Sequence, residues 1–112
     1  MKHYIVRESL KEDGSCPYRE WLDTLDMPTK ARIQARVLRF EEGNLGKCRN
    51  VGSGVLEAKC DFGPGYRIYF GIEKQTVVLL LLGGDKRTQH RDIKKAQQLW
   101  NIELEKKYES KK

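Results

Sequence analysis

Two basic residues, Arg67 and Lys86, stand at the ends of two successive predicted β-strands and could together hold a phosphate group. Residues 62–70 read Phe-Gly-Pro-Gly-Tyr-Arg-Ile-Tyr-Phe, a tight turn followed by a strand that carries Arg67. Residues 82–87 read Leu-Gly-Gly-Asp-Lys-Arg, an apolar strand that ends at a glycine pair beside a helix start. A guanidinium offers a phosphate two parallel hydrogen bonds, and an ammonium adds a point charge. The pattern therefore indicates a phosphate-containing ligand.

The strand before the tight turn adds further polar residues to the same surface. Residues 55–62 alternate between apolar and polar, and a tight turn makes the two strands antiparallel neighbours. Glu57, Lys59, Arg67 and Tyr69 then share one face of the sheet, where we expect Arg67 to be exposed and Tyr69 could stack on an unpaired base. The alternative is an ordinary solvated sheet face, on which charges improve solubility and discourage edge pairing.

The glycine pair and the histidines are less specific signals. The turn at 83–86 lacks the spacing of a P-loop, and Asp85 or Thr88 could cap the following helix; Asp85 could also serve catalysis. His90 follows Lys86 by four residues, so it could face the same cleft as a catalytic residue, although an isolated histidine is more often a surface residue. No Ser-His-Asp set is convincing.

Composition limits the class of protein. The 112 residues predict one domain, 1–112, and the net charge of +6 favours nucleic acid or an acidic protein as partner, unless the chain is simply a basic protein. Three widely spaced cysteines favour neither a disulfide framework nor a zinc site, and indicate reduced thiols in the cytoplasm. No signal peptide is visible, and the apolar run 77–82 is too short to span a bilayer. No cofactor or metal is predicted.

The elements that position these residues predict an α+β fold in the order β-α-α-β-β-β-α. Helical spacing of Trp21, Leu22 and Leu25 predicts one helix, and Ile33, Val37 and Phe40 predict the next, with Thr29 as its N-cap. The last helix has a stripe of Ile93, Ala96, Trp100 and Leu104. The predicted strands are 4–6, 55–62, 66–72 and 77–82, the helices are 17–26, 30–42 and 88–108, and 44–54 is a Gly-, Asn- and Ser-rich loop.

Together these segments resemble the HigB-like "addiction module killer" branch of the RelE/ParE toxin superfamily. The resemblance lies in residues 51–70, in Leu-Leu-Leu-Gly-Gly-Asp-Lys-Arg-Thr-Gln at 80–89, and in Asp92-Ile93 with Ala96, and it extends to Trp21-Leu22 and Gly43-Asn44. It implies a small twisted, mainly antiparallel four-stranded sheet packed on an N-terminal helical hairpin, plus a C-terminal helix.

The resemblance also implies an activity. RelE-type members enter the ribosomal A site and cut mRNA through attack of a ribose 2′-hydroxyl on the adjacent phosphate, which requires cations around the phosphorane and a group that moves protons. By position, Arg67 resembles the arginine that stabilises the transition state in the family. Lys59 resembles a strand lysine of the family, and Lys86 stands where RelE members carry an arginine. Glu57 stands where some relatives have a lysine. The implied catalytic residues are Arg67, Lys86, Lys59 and His90, and the implied RNA-binding residues are Arg67, Tyr69, Lys59, Lys86 and Arg87.

The implied function is the toxin of a type II toxin-antitoxin module, a ribosome-dependent mRNA endonuclease (mRNA interferase) that inhibits translation. Its partners would be the ribosome, mRNA and a helix-turn-helix, HigA-like antitoxin, through which alone it would contact DNA; no membrane is involved. A ParE-like inhibitor of DNA gyrase that is not an enzyme, and a degenerate member that only binds its partner, are the alternatives.

Overall fold

The computed structural model describes the backbone of residues 3–110 and the side chains of residues 3–107. It is an α+β fold, as predicted, with one strand more than expected. In chain order, the elements are β1 (Ile5–Glu8), α1 (Pro17–Leu22), α2 (Met27–Glu41), β2 (Cys48–Asn50), β3 (Leu56–Lys59), β4 (Arg67–Glu73), β5 (Val77–Gly84), a 3-10 turn (Lys86–Thr88) and α3 (Gln89–Ser110).

The strands form one mixed sheet in the order β1-β5-β4-β3-β2. β1 runs parallel to β5, and the other three pairs are antiparallel. The additional strand is β2, which lies in the segment 44–54 that was predicted to be a loop. Its three residues contain no apolar alternation, and β2 exists because its backbone pairs with β3, Cys48 opposite Ala58 and Asn50 opposite Leu56.

One face of the sheet, here called the hairpin face, is covered by α1 and α2. The predicted stripe of α2 is confirmed, because Ile33 and Phe40 are fully buried and Val37 packs beside them. α2 begins three residues earlier than predicted, since the Asp26 carboxylate, not Thr29, accepts the N-cap hydrogen bond. The buried residues that this face shares with the helices are Tyr18, Leu22, Ile33, Phe40, Ala58, Cys60, Ile68, Phe70, Val78 and Leu80.

The opposite face, here called the α3 face, is covered by the C-terminal helix. Trp100 lies directly over Gly71, where any larger residue would collide with the indole ring. The predicted stripe is correct up to Trp100, but Leu104 is 44% exposed, so its assignment to the core was wrong. The buried residues on this side are Val55, Tyr69, Leu79, Leu81, Leu82, Ala96, Leu99 and Trp100.

A register shift near the end of β5 sets the geometry of the candidate site. Tyr69 pairs with Leu82 and Phe70 with Leu80, which leaves Leu81 as the extra residue of a bulge. Beyond the bulge Gly83 lies against Trp21 on the hairpin face, and Gly84 lies under the carboxylate of Asp92 on the α3 face. The glycine pair is therefore required by close packing on both sides. Within residues 3–110 no helix has the length and apolar character needed to cross a bilayer.

Candidate active site

A cleft of about 380 Å³ opens where β2, β3 and β4 meet the first turn of α3. Four of its seven lining side chains are basic and one is a carboxylate, a composition that suits an anionic ligand. The lining residues are Lys47, Cys48, Arg49, Glu57, Lys59, Arg67 and Gln89.

Arg67 lies at the base of this cleft and is buried, with 7% of its surface exposed. The expectation that Arg67 is exposed was wrong, because α3 covers the sheet face on which its side chain lies. One guanidinium nitrogen donates to the carbonyl of Gly65, and Nε lies 3.7 Å from a Glu57 oxygen without a hydrogen-bond partner. A buried donor without an acceptor is costly and therefore uncommon in folded proteins. Arg67 Nε is thus an unsatisfied donor in the buried part of the site, on the side of the guanidinium that faces Glu57.

Glu57 is the buried carboxylate of the site, with 4% of its surface exposed, rather than part of a solvated sheet face. It accepts hydrogen bonds from Arg49 Nε at 2.8 Å and from Gln89 Nε2 at 2.9 Å. Burial by itself would raise the pKa of Glu57, but the hydrogen bonds from Arg49 and Gln89, together with the nearby Tyr69 hydroxyl, outweigh burial and the pKa is lowered. Glu57 is therefore ionised at neutral pH and can accept a proton.

Tyr69 is fully buried beneath α3, so the exposed ring that base stacking requires is absent. Its hydroxyl lies near Glu57, close enough to lower the pKa of that carboxyl, but outside standard hydrogen-bond geometry. Burial, together with the negative charge of Glu57, raises the pKa of Tyr69 far above its ordinary value. Tyr69 is consequently a neutral core residue that supports Glu57 from below.

Both predicted lysines, Lys59 and Lys86, lie near Arg67. Lys59 is the direct cross-strand partner of Arg67, is exposed and lines the cleft. Gly65 lies between Arg67 and Lys86, which follows the end of β5. A methyl group on Gly65 would lie 3.0 Å from Arg67 Nη1 and 3.4 Å from Lys86 Cβ. The structure therefore brings Arg67, Lys59 and the base of the Lys86 side chain together around the tight turn.

Arg87 and His90 lie on the outside of the same turn. The Arg87 side chain is 83% exposed and pairs with Asp85 at 3.1 Å. His90 is exposed and follows Gln89, so its side chain projects about 100° around the helix from the one that contacts Glu57. Asp85 caps the helix start by accepting from the Arg87 backbone N–H at 2.8 Å. The hydrogen bond from the Arg87 side chain is the main cause that lowers the pKa of Asp85.

Three residues of the site were missed by the sequence analysis: Arg49, Gln89 and Asp92. Arg49 lies in β2, which was predicted to be a loop. Gln89 and Asp92 stand three positions apart on α3, and this spacing places both side chains on one face of the helix. The spacing could have identified them from the sequence as polar residues that face the sheet together. Asp92 is buried and accepts from the Thr88 hydroxyl. Among the described residues, no three His, Cys, Asp or Glu side chains are grouped so as to hold a metal ion.

Comparison with known proteins identifies a relative that matches 73% of the chain. An uncharacterized protein of Haemophilus influenzae is 42% identical to this chain over 83 residues, which is 73% of this chain and 84% of the relative. No family model matches the chain. No solved structure matches it.

Proposed function

This chain belongs to the same protein family as the Haemophilus influenzae relative, and we propose that it is an endoribonuclease that cuts mRNA on the ribosome. The observation that carries the proposal is the pairing of Arg67 and Glu57 in a basic cleft. Arg67 is a buried guanidinium with an unused donor, and Glu57 is a buried, ionised carboxylate 3.7 Å from it. A cation beside a proton acceptor is the combination that internal transesterification of RNA needs.

In the proposed reaction the scissile phosphate lies over Arg67, between Lys59 and Lys86. Glu57 takes the proton from the ribose 2′-hydroxyl, whose oxygen forms a bond to phosphorus. The bond from phosphorus to the 5′-oxygen breaks, and water in the open cleft protonates that oxygen. The products are a 2′,3′-cyclic phosphate and a 5′-hydroxyl end. Arg67 stabilises the negative charge that develops on the phosphorane.

The biological setting that we propose is a type II toxin-antitoxin module acting in the cytoplasm, where the toxin would arrest translation. The motifs at 62–70 and 80–89 support this assignment to the RelE/ParE superfamily. A helix-turn-helix antitoxin would neutralise the protein and would be its only link to DNA. The net charge of +6 suits both the RNA substrate and an acidic region of such a partner.

A gyrase inhibitor is the second candidate, and one observation favours it. Ile102 and Leu104 expose 47% and 44% of their surfaces on α3, outside the core and remote in sequence from the cleft residues. Exposed apolar side chains on a helix suit a protein target rather than RNA. In that case Arg67 and Glu57 would be a structural pair without a reaction to catalyse.

The test is inducible expression of the wild type and of Arg67→Lys, followed by primer extension on a reporter mRNA and a plasmid supercoiling assay. Arg67→Lys keeps the buried charge, so it perturbs the fold less than Arg67→Ala, which would leave Glu57 short of a cation. Lys95→Ala removes one exposed charge on α3, outside the residues that line the cleft, and is the control.

The proposed function predicts growth arrest with mRNA cuts in the wild type and in Lys95→Ala, and neither in Arg67→Lys. Arrest with intact mRNA and relaxed plasmid would contradict the endonuclease and support the gyrase inhibitor. A well-folded wild type that causes no arrest would support a degenerate member.

A further inference from the structure

A second concave surface, here called the basic groove, lies between α2 and the outer end of β3. Its volume is about 480 Å³. Five of its side chains are cations, and Asp61 is the single acid among the residues that line it. The five cations are Arg32, Arg36, Arg39, Lys47 and Lys59.

The basic groove is continuous with the candidate active site. Lys47 and Lys59 line both the groove and the cleft, so no barrier of other residues separates the two surfaces. Lys59 is also the cross-strand partner of Arg67. The positive charge therefore runs from α2 across the end of β3 to the buried guanidinium of Arg67.

Two arginines of the groove are fixed by contacts that leave their charge uncompensated. The Arg32 guanidinium stacks on the Phe62 ring, 3.9 Å from its centroid. Arg36 donates to the carbonyls of Leu45 at 2.8 Å and Lys47 at 3.5 Å. Among the described residues neither these two arginines nor Arg39 forms an ion pair with a carboxylate. A held, unpaired cation loses little entropy when it meets an anion.

We propose that the basic groove binds the sugar-phosphate backbone of single-stranded RNA on one side of the scissile phosphate. The proposal rests on the endonuclease function, and it specifies the substrate: a strand of several nucleotides rather than a single nucleotide or a short end. A chain of cations leading away from one phosphate site matches a polymer with a regularly repeated phosphate. An acidic protein segment would have no need of continuity with Arg67.

The test is fluorescence anisotropy with labelled 2′-O-methyl oligouridylates, which lack the attacking hydroxyl and so stay intact. A trimer and a nonamer are compared for the wild type, Arg32→Ala/Arg39→Ala, Arg67→Lys and the control Lys94→Ala/Lys95→Ala. The control removes two exposed lysines of α3 and leaves the same net charge as the groove variant. Thermal melts followed by circular dichroism establish that each variant is folded.

The proposal predicts that the wild type and the lysine control bind the nonamer at least about 10-fold more tightly than the trimer. The groove variant should lose this advantage. The negative slope of log affinity against log salt should become shallower by about 1.4, since each single-strand phosphate contributes about 0.7 to its magnitude. Arg67→Lys should weaken the trimer and keep the length effect. A groove variant that retains the length effect and the salt slope of the control would overturn the proposal.

Two further results separate this proposal from the proposed function. A wild type that binds the nonamer through the groove but leaves ribosome-bound mRNA uncut would support the groove and contradict the endonuclease. The opposite result would be that the wild type and the groove variant cut ribosome-bound mRNA equally fast, and that the groove variant binds the nonamer like the control. This result would support the endonuclease and overturn the proposed role of the groove. Binding of a labelled nonaglutamate, with no binding of either RNA, would identify a docking surface for an acidic protein and would also overturn it.

Discussion

The two faces of the sheet are packed in different ways. The buried cluster of the hairpin face contains aliphatic and aromatic side chains and one cysteine. The α3 face is equally apolar around Trp100, but near Gln89 it buries Glu57, Arg67 and Asp92. Burying charge is costly unless the charges are paired and hydrogen-bonded, and here Arg67 is paired with Glu57 at 3.7 Å while its Nε has no hydrogen-bond partner. The comparison teaches that the hairpin face is a purely apolar core, whereas the polar end of the α3 face keeps buried charges that the proposed ligand site would use.

The largest effect should come from weakening the hairpin face. Phe40→Ala removes a fully buried ring that lies 5.1 Å from the Phe70 ring, so we expect the free energy of unfolding to fall by about 3–5 kcal/mol. Urea denaturation measures this change. The neighbouring Leu38→Ala, at a residue that is 57% exposed, should change it by less than about 0.5 kcal/mol. Loss of cleavage by the fraction of Phe40→Ala that remains folded would contradict the division between the two faces.

Substitution of Glu57 should have the next largest effect, which is on the rate of cleavage. Glu57→Gln keeps the shape of the side chain but cannot take the 2′-hydroxyl proton, so we expect cleavage to slow by about 10²- to 10³-fold. General acid–base catalysis usually contributes about 10²- to 10⁴-fold, and we expect the lower part of this range because a carboxylate with a lowered pKa is a weak base. Single-turnover cleavage of ribosome-bound mRNA measures the rate, and an unchanged rate would exclude Glu57 as the base.

Lowering the pH should reveal the contribution of the Glu57 carboxylate to the free energy of unfolding. Because the folded state lowers the pKa of Glu57, its ionised form contributes stability above the ordinary value of 4.5, and that contribution is lost as pH falls through the lowered pKa. The difference in unfolding free energy between the wild type and Glu57→Gln should therefore shrink between pH 7 and pH 3. A difference that is constant over this range would mean that folding does not perturb Glu57.

Sequence reasoning recovered the hairpin face better than the α3 face, and the reason is physical. Apolar periodicity identified Ile33 and Phe40 because a helix against a sheet buries every residue on one stripe. The same alternation placed Glu57, Arg67 and Tyr69 on a common face, correctly, but the position of α3 over that face is a long-range contact with no local signal. The sequence therefore predicted an exposed Arg67, whereas the structure buries it beneath α3. β2 was missed because pairing with β3, not its own composition, makes it a strand.

A smaller effect should follow from removing a residue that only positions Glu57. Gln89→Ala deletes one hydrogen bond to the carboxylate, worth about 1 kcal/mol, so we expect cleavage to slow about fivefold. The pKa of Glu57 should also rise, which the acid-stability experiment detects. The control is Gln98→Ala, at an exposed residue on the same helix. Equal rates for Gln89→Ala and Gln98→Ala would show that this hydrogen bond does not matter for cleavage.

The smallest effect should be that of His90→Ala. Its side chain is exposed and projects away from Glu57, so we expect less than a twofold change in the rate of cleavage. The same single-turnover assay measures it. A loss of 100-fold or more would instead restore His90 as a catalytic residue and would mean that α3 rotates or shifts when RNA binds.

The most direct test of the central claim is the single-turnover rate of mRNA cleavage on purified ribosomes by Arg67→Lys, measured beside Lys95→Ala. Both variants are expected to melt within a few degrees of the wild type. If Arg67 stabilises the phosphorane, its lysine variant should be about 10²- to 10³-fold slower, because one ammonium cannot replace the guanidinium fork, while Lys95→Ala keeps the wild-type rate. Equal rates for both variants would contradict the assignment of the cleft as the active site.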